Sequence, residues 1–480
     1  MTALVGLDVG TTGVAAIAIS PDGEVLARAE RDYPLSTPRV GWSEQDPEDW
    51  WWAAEAAVAE VSAGREIAGI GLSGQMHGLV ALGAAGEVLR PAILWNDQRT
   101  GEECAEIERT IGLERLIALT GNRALPGFTA PKLLWLRKHE PDVYARIARI
   151  CLPKDYVRLR LTGSWAIDVA DASGTLLLDV ARRRWSDDVL ESLDTPAAWL
   201  PPVLESAAVS GEAPGGVPVA AGAGDCAAAA IGVGVDRAGP ASIVLGTSGV
   251  VFAALPAYRH EELARVHVFC HAAPGAWHAM GVMLSAAGSL QWLHDAIAPG
   301  VDFDALAAEA AAWEPGSEGL LFLPYLQGER TPHADPDARG AFVGLQLRHD
   351  RGALVRAVLE GVAYGLRDSL DLLEGLGVEV TSARASGGGA RSELWLRICA
   401  AVLGVPIERT ETDEGSAFGA ALLGGVAAGV FADVHEAVAA TVRTRSVVEP
   451  DPVWREAYEA ARPRFRALYP ALRDLPAGGR

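Results

Sequence analysis

A five-residue pattern that occurs twice limits what this chain can fold into. Residues 10–14 read GTTGV and residues 246–250 read GTSGV, and each copy lies between two apolar runs. Short apolar runs on either side of a glycine-containing turn are typical of β-hairpins. One copy opens each half of the chain, which predicts two related domains that face each other. A length of 480 residues accommodates two domains, because a single hydrophobic core rarely grows beyond about 250–300 residues.

The two predicted domains span residues 1–237 and 238–480. Residues 236–240 read DRAGP and are typical of a linker. Near the start of the chain, Asp46, Pro47 and Glu48 supply a helix N-cap, a proline at the first helical position and an acid in the first turn. A second helix is predicted from apolar residues at helical spacing between 354 and 373. Strands and helices alternate, so the predicted fold class is α/β.

Charge and cysteine usage exclude several classes of protein. A net charge of −21 argues against a nucleic-acid partner, which would need a basic surface to meet phosphates. The five cysteines are dispersed and form no Cys-x-x-Cys pair, as in reduced cytosolic proteins. The N-terminus has no basic leader, and the uncharged run 415–432 is rich in glycine and alanine, which favours a buried helix over a membrane span. We therefore expect a cytoplasmic protein without a membrane segment.

Asp8 and the turn after it form a candidate phosphate and metal site. The first apolar run leads to Asp8, and Gly10, Thr11 and Thr12 follow with free backbone amides and two hydroxyls. In nucleotide sites Mg²⁺ prefers one or two carboxylates together with phosphate oxygens. The segment therefore predicts a cradle for phosphate and Mg²⁺. A plain hairpin turn with a solvated aspartate is the alternative interpretation.

The second copy of the pattern and a glycine triplet extend the candidate nucleotide site. Gly246, Thr247 and Ser248 offer donors for phosphate from the opposite side of a cleft. Three consecutive glycines begin at residue 387, so the backbone there can approach a flat ligand such as adenine closely. The candidate adenosine contacts in this segment are Gly388, Gly389, Ala390 and Ser392. A structural turn would account for the triplet equally well.

Several long segments, in the same order along the chain, resemble the FGGY family of carbohydrate kinases. GLDVGTTG at residues 6–13 and VLGTSGV at residues 244–250 are similar to the family's two phosphate loops. GFTAPKLLWLRKH at 127–139 and EGSAFGAALL at 414–423 are similar to its signature segments. The resemblance covers nearly the whole chain. It implies two actin-like, ribonuclease H-like domains with a cleft for ATP and sugar between them.

Four further segments resemble the members of that family that phosphorylate D-xylulose. They are SGQMHG at 73–78, ILWNDQR at 93–99, LPKDYVRLRLTG at 152–163 and FLPYLQGERTPH at 322–333. The resemblance implies that Met76 and His77 contact the ketose. Taken alone, His77 would more often be a structural histidine and Met76 a core residue.

The family's catalytic aspartate matches Asp225 in the segment GAGDCAAAAIG. The resemblance implies that Asp225 binds the sugar and accepts the proton of its terminal hydroxyl, while Asp8 orients Mg²⁺ and ATP supplies the phosphoryl group. Cys226, also a candidate sugar contact, stands where the family usually has asparagine or glutamine. Ala15 stands where the family usually has a lysine or arginine after the first phosphate loop. The departure at Cys226 bears on which sugars are bound, and the departure at Ala15 bears on phosphate binding.

Other interpretations stay open at this point. A kinase for ribulose, gluconate or a deoxy-ketose would share most of these motifs, and an actin- or Hsp70-like ATPase would share the nucleotide fold. The presence of both Asp8 and Asp225 argues against a sugar-binding regulator without catalytic activity. The sequence leaves the oligomeric state open, with a homodimer as the assembly to test.

Lysine is rare in this chain. Among its 41 basic residues only three are lysines, Lys132, Lys138 and Lys154. This rarity predicts that lysine is specifically required at those positions.

Overall fold

The protein is described from a computed structural model, which covers residues 2–412 and 414–474. Its strands, in chain order, are β1 Thr2–Val9, β2 Gly13–Ile19, β3 Val25–Asp32, β4 Glu44–Gln45, β5 Glu66–Gly74, β6 Val80–Leu82, β7 Ala92–Ile93, β8 Arg149–Cys151, β9 Ile167–Asp168, β10 Leu178–Asp179, β11 Arg184–Trp185, β12 Val203–Leu204, β13 Val209–Ala213, β14 Val217–Ala220, β15 Ala223–Gly224, β16 Pro240–Leu245, β17 Gly249–Leu255, β18 His267–Cys270, β19 Trp277–Met283, β20 Leu321–Leu323, β21 Ala341–Val343, β22 Ser382–Ser386, β23 Ile407–Thr410 and β24 Thr444–Val448.

The helices, in chain order, are α1 Pro47–Ser62, α2 Gly101–Ile111, α3 Leu113–Thr120, α4 Thr129–His139, α5 Pro141–Tyr144, α6 Pro153–Thr162, α7 Val169–Ser173, α8 Asp187–Ser192, α9 Asp225–Gly232, α10 Ala287–Ile297, α11 Phe303–Ala311, α12 Arg351–Gly375, α13 Glu393–Leu403, α14 Gly415–Ala427, α15 Val434–Thr441, α16 Pro452–Arg466 and α17 Leu468–Leu472. Short 3₁₀ turns lie at Ala197–Trp199, Ser317–Gly319 and Gly388–Arg391. Within residues 2–412 and 414–474, no helix has both the length and the hydropathy needed to span a bilayer.

Two seven-stranded sheets repeat one arrangement around the two copies of the turn pattern. The first sheet has the order β3–β2–β1–β5–β14–β13, and β15 pairs with the carboxyl-terminal end of β5. The second has the order β18–β19–β17–β16–β22–β23–β24. In each, an antiparallel hairpin encloses the turn and its first strand has a parallel neighbour on the other side. The predicted α/β class with two related, actin-like halves is confirmed.

Strand β1 is buried on both faces, and its side chains alternate between two cores. Val5 and Leu7 pack in the core beneath α1, whereas Leu4 packs in the core that α9 and α14 cover. Because side chains along a strand alternate with a period of two, Asp8 shares the face of Leu4. The strand therefore places Asp8 on the face of the sheet that α9 and α14 cover.

Helix α14 belongs in sequence to the second predicted domain but packs on the first sheet, against β1, β5 and α9. The sheet accommodates it because Gly6 and Gly71 have no side chain under the helix backbone. The uncharged run that begins at residue 415 is a buried helix as predicted, although the helix ends at Ala427. Helix α14 thus lies in the second half of the sequence but packs on the sheet of the first half. The division of the chain into domains between residues 237 and 238 stays a proposal.

Replacing Gly71 is expected to separate α14 from the sheet. A Cβ atom at residue 71 would overlap the carbonyl oxygen of Ala420, so the Gly71→Ala variant must displace helix backbone. Overpacking of this kind costs about 1–3 kcal/mol. The measurement is the thermal unfolding midpoint, with Gly101→Ala as control because a Cβ there meets nothing within 4 Å. Equal midpoints for the two variants would contradict the close approach of α14.

Candidate active site

The parallel strands β1, β5 and β15 bring two aspartates to one edge of the first sheet. In the strand register, Ser73 of β5 pairs with Asp8 on one side and with Ala223 on the other. Asp225 follows β15 and opens helix α9. The carboxyl-terminal ends of neighbouring parallel strands meet at one edge, which is where ligands bind in open α/β sheets. The structure therefore brings the predicted metal ligand and the predicted base together.

Asp8 is a carboxylate without a cationic partner. Burial and, to a smaller extent, the negative charge of Asp225 raise the pKa of Asp8 to about 7. Its Oδ1 atom is buried and has no hydrogen-bond partner in the described part of the chain. Ala15 lies directly opposite Asp8 in the β1–β2 register, so no basic side chain compensates the charge from that position. An orphaned hard oxygen beside a phosphate loop fits Mg²⁺.

Asp225 is held in place by the first turn of α9. Its Oδ1 accepts the backbone N–H of Cys226 at 2.7 Å. Burial raises the pKa of Asp225, and the bond from the backbone of Cys226 lowers it in part. A carboxylate with a raised pKa is a stronger proton acceptor than an ordinary aspartate. The half-buried thiol of Cys226 lies beside it, and burial raises the pKa of this thiol well above its usual value.

The first phosphate loop is held by side chains that leave its tip free. Trp95 donates its Nε1–H to Oγ1 of Thr11 at 2.9 Å, and Gln75 donates to the carbonyl oxygen of Gly10 at 3.1 Å. Gln45 donates to the carbonyl oxygen of Thr11 at 2.7 Å. Thr12 is exposed. The loop therefore exposes the Thr12 side chain to solvent, while hydrogen bonds from Gln75 and Gln45 hold its backbone.

The second phosphate loop is fixed by the start of helix α10. The backbone N–H of Ala287 donates to the carbonyl oxygen of Gly246 at 2.7 Å, and that of Ala286 donates to Thr247 at 2.8 Å. The side chain of Thr247 is exposed, and the Ser248 hydroxyl makes a long bond of 3.4 Å to Leu284. With its carbonyls occupied, this loop offers its hydroxyls to a ligand.

A cavity of about 420 Å³ adjoins the glycine triplet. Gly388, Gly389 and Ser392 line it on one side, and Leu290 of α10 and Leu359 of α12 line it elsewhere. Its size lies in the range of about 300–1,000 Å³ that small-molecule sites occupy. Three of the four residues predicted to contact adenosine thus share one cavity.

Ala390 lines an adjoining cavity of about 270 Å³ together with Arg409 and Arg445. Gly388 lines both cavities. The Ser392 hydroxyl also accepts the backbone N–H of Trp395 as the N-cap of α13. Gly387, at φ +85°, lies against the backbone of Leu245, so the triplet touches the second phosphate loop.

Met76 and His77 follow β5, and both lie close to Gly174, while Met76 also lies close to Gly224, the residue before Asp225. Met76 is buried, and its side chain would collide with a Cβ at Gly224 or Gly174. His77 has a positive φ of 69°, which is unusual outside glycine. Its Nδ1 lies 2.6 Å from the carbonyl oxygen of Gly174, and burial lowers the pKa of His77 to about 3. The ring is therefore neutral, donates from Nδ1 and keeps Nε2 as an acceptor.

Lys132 and Thr129, both in α4, hold the His77 loop. The Lys132 ammonium donates to the carbonyl oxygen of His77 at 2.9 Å, and the Thr129 hydroxyl donates to the same atom at 3.0 Å. Lys132 is fully buried, and burial lowers its pKa to about 7. The 127–139 segment therefore holds the loop that carries His77, which accounts for one of the three lysines.

A second buried lysine lies at the centre of three carboxylates behind the site. The Lys154 ammonium is 2.6 Å from Asp155, 2.7 Å from Asp168 and 3.1 Å from Asp171. The three carboxylates have the spacing of a metal site, but Lys154 occupies its centre. Arg158 adds a second cation 3.0 Å from Asp155. All five side chains are buried, so the cluster is a structural ion network rather than an open ligand site.

Sequence reasoning missed several residues that organise the site. Gln75 and Trp95 lie inside the SGQMHG and ILWNDQR segments, so the motifs were noticed but these side chains were not assigned a role. The contacts of Gln45 and Tyr33 with the first loop join residues far apart in sequence. The predicted alternation of strands and turns was the one sequence signal that indicated the closeness of these residues to the first loop.

Asp8→Asn is expected to stabilise the metal-free, nucleotide-free protein while it lowers kinase activity. A folded-state pKa of about 7 means that the stabilising contribution of this carboxyl is present at low pH and is lost as the pH rises through about 7. Asparagine carries no charge to bury, so the variant avoids this loss of stability, which is on the order of 1–4 kcal/mol. Unfolding midpoints at pH 5 and pH 8 measure it, and a larger gain at pH 8 than at pH 5 is expected, because the stability is lost progressively between the unfolded-state pKa of about 4 and the folded-state pKa of about 7. Destabilisation at pH 8 would show that Asp8 is satisfied in the folded protein.

Comparisons with known proteins bear on this geometry. Residues 3–232 match the FGGY family of carbohydrate kinases, N-terminal domain, and residues 241–428 match its C-terminal domain. The chain is 43% identical over 487 aligned positions to a xylulose kinase of Escherichia coli (strain K12), with 98% of this chain and 100% of the relative covered. A xylulose kinase structure from Rhodospirillum rubrum matches with a TM-score of 0.92 at 34% identity, covering 98% of this chain and 99% of that chain. A gluconate kinase structure from Lactobacillus acidophilus matches with a TM-score of 0.93 at 25% identity, covering 99% of each chain.

Proposed function

Because the chain belongs to the FGGY family of carbohydrate kinases, we propose that it transfers the terminal phosphoryl group of ATP to D-xylulose and releases D-xylulose 5-phosphate. The observation that carries the proposal is the common sheet edge of Asp8 and Asp225, with Met76 packed against Gly224 beside them. The similarity to xylulose kinases over nearly the full chain supports this choice of sugar.

In this proposal Asp225 accepts the proton of the sugar's terminal hydroxyl. The bond from the Cys226 backbone fixes one carboxylate oxygen, so the other is free for the hydroxyl. The raised pKa of Asp225 strengthens it as a base. His77 accepts a sugar hydroxyl through Nε2, because its Nδ1 is engaged with Gly174. Cys226 and Met76 complete the wall of the sugar pocket.

Asp8 is the proposed Mg²⁺ ligand, acting through its orphaned carboxylate oxygen. When bound, Mg²⁺ neutralises charge on the phosphates of ATP. Thr11, Thr12, Thr247 and Ser248 and the amides of their loops hold those phosphates from two sides. The cavity beside Gly388 and Gly389 accepts adenosine. Closure of the two halves on both ligands would exclude water and suppress hydrolysis of ATP.

The proposal is tested by ADP release with Mg-ATP and a set of acceptors. D-xylulose is compared with D-ribulose, L-ribulose, gluconate, glycerol and 1-deoxy-D-xylulose. We expect D-xylulose to have the highest kcat/KM. A higher value for another sugar would leave the phosphotransferase chemistry in place and overturn the assignment of Met76 and His77 as selectors of D-xylulose.

Gluconate is the second candidate acceptor. It is favoured by the equally high structural similarity to a gluconate kinase, although the sequence identity to that protein is only 25%. A cytoplasmic location accompanies the proposal, since all five cysteines are free thiols. The proposed assembly, a homodimer, is checked by light scattering in solution.

A further inference from the structure

The stem of Lys154 contacts both chain segments that lead to the candidate active site. A Cβ atom at Gly74, the last residue of β5, would lie 3.2 Å from Cβ of Lys154. A Cβ atom at Gly222 would lie 3.1 Å from Cδ of Lys154. His77 is three residues after Gly74, and Asp225 is three residues after Gly222. One fully buried side chain therefore packs against the segment before the predicted sugar contact and the segment before the predicted base.

The ammonium of Lys154 adds a third contact near the predicted base, through Asp171 of α7. Its Nζ lies 3.1 Å from Oδ2 of Asp171. The other carboxylate oxygen, Oδ1, is buried without a hydrogen-bond partner among the described residues. It would lie 3.0 Å from a Cβ atom at Gly224, which is the N-cap of α9 and directly precedes Asp225. The ammonium thus holds a carboxylate that packs against the residue before Asp225.

Arg158 holds the backbone of the same segment. It follows Lys154 by four residues on α6, so the two side chains lie on one face of the helix. Its Nη1 donates to the carbonyl oxygen of Ala221 at 2.6 Å and lies 3.0 Å from Oδ1 of Asp155. Its Nη2 donates to the carbonyl oxygen of Ala166. Two buried cations of α6 therefore hold the turn that leads to the predicted base.

Met76 packs between the two segments without spare room. A Cβ atom at Gly224 would lie 2.6 Å from Cγ and 2.8 Å from Sδ of Met76, and one at Gly174 would lie 2.9 Å from its Cε. The carbonyl oxygen of Gly174 is also the partner of Nδ1 of His77, at 2.6 Å. A displacement of the turn before Asp225 therefore changes the distance between the Asp225 carboxylate and the His77 ring.

We propose that Lys154 is a positioning residue, which sets the distance between the Asp225 carboxylate and the loop that carries His77. Asp171 and Arg158 act with it by holding the turn before Asp225. The inference rests on the proposed function, in which Asp225 is the base and His77 contacts the sugar. It gives the buried ion network a role in the reaction besides its role in folding. Reacting groups must be held to within about 0.5 Å, and a misplacement of about 1 Å costs about 10²-fold in rate.

Lys154→Met tests this role through the kinetics of the folded protein. Methionine keeps most of the stem but has no ammonium to hold Asp171. Well below the unfolding midpoint, and per mole of folded protein, we expect kcat to fall about 10²-fold and KM for D-xylulose to rise. KM for ATP should change less than about 3-fold, because the cavity proposed for adenosine is lined by the second half of the chain. Lys154→Gln, which keeps two N–H donors, should recover part of kcat.

Asp171→Asn keeps the inference testable if Lys154→Met does not fold. In this variant the ammonium keeps Asp155 at 2.6 Å and Asp168 at 2.7 Å as partners. A neutral amide binds an ammonium less strongly than a carboxylate does, so kcat is expected to fall about 3- to 10-fold. KM for D-xylulose should again rise while KM for ATP stays nearly constant.

Arg356→Met is the matched control for the loss of a buried cation. Arg356 is fully buried in the second half of the chain, where it lies 2.7 Å from Glu360 and donates to the Tyr458 hydroxyl at 2.6 Å. Its loss should lower the unfolding midpoint, as that of Lys154 does, but leave kcat of the folded protein unchanged.

Three results would overturn the inference. The first is an unchanged kcat per mole of folded protein in Lys154→Met or, if that variant does not fold, in Asp171→Asn. The second is an equal fall of kcat in Arg356→Met, and the third is a rise in KM for ATP as large as that for D-xylulose. Failure of the proposed function is separate, because it appears in the unmodified protein as preference for another acceptor. The same comparison is then made with that acceptor.

Discussion

Asp225→Asn is expected to lower kcat by about 10²–10⁴ and to leave the fold intact, since that is the usual loss when a general base is removed. Asparagine keeps the size of the side chain and can still accept the backbone N–H of Cys226, so α9 should start unchanged. It cannot accept the proton of the sugar hydroxyl. Single-turnover phosphorylation of D-xylulose measures the loss, and the unfolding midpoint checks the fold.

The same variant has a second expected effect, on Asp8. The charge of Asp225 is one cause of the raised pKa of Asp8, so its removal should lower that pKa towards the ordinary value. Asp187→Asn serves as control, because Asp187 is an exposed residue in the first turn of α8. Near-normal turnover in Asp225→Asn, with normal folding, would show that another group takes the proton.

Lys154→Met is expected to cost about 3–5 kcal/mol of folding free energy, the usual result of removing one partner of a buried ion pair. Methionine fits the space of the lysine stem but leaves Asp155, Asp168 and Asp171 facing each other without the ammonium. Denaturant unfolding measures the loss. We expect it to shrink below neutral pH, because the uncompensated carboxyls then take up protons.

Lys138→Met is the matched control for that experiment. Lys138 also pairs with two carboxylates, Glu103 at 3.0 Å and Glu106 at 2.6 Å, but Lys138 and Glu106 are partly exposed and only Glu103 is buried. Because water still reaches the ammonium, its loss should cost less than the loss of Lys154. A similar cost for the two lysines would mean that the Lys154 cluster is not shielded from solvent.

Local sequence patterns were sufficient to predict the structure wherever the interacting residues are close in the chain. Asp46 caps α1 and Pro47 begins it, as predicted, because an N-cap needs only the next few residues. The two hairpins at GTTGV and GTSGV were predicted for the same reason, and the long helix around residues 354–373 was found as α12. The roles of Asp225, Met76 and His77 came from family resemblance, whereas that of Asp8 came also from the turn that follows it, and all four stay predictions.

Other features depended on contacts between distant segments. The sequence predicted a need for lysine but not its cause, which for Lys154 is a cluster joining α6 to α7. Ala390 was grouped with the adenosine contacts, and that assignment stays a prediction; the turn after β22 places it on an adjoining cavity that Gly388 also lines.

The element types, the repeated hairpin and the chemistry available at each loop could be predicted from the sequence, because turn geometry, side-chain periodicity and capping act over a few residues. The tertiary structure was needed to show which of those loops share one edge, how α14 crosses to the first sheet, and which charges are paired. Those outcomes depend on parallel strand pairing and on burial, and both join residues that are dozens to hundreds of positions apart. Asp8 illustrates the division: its carboxylate is in the sequence, but its raised pKa exists only where Asp225 and the buried sheet edge meet.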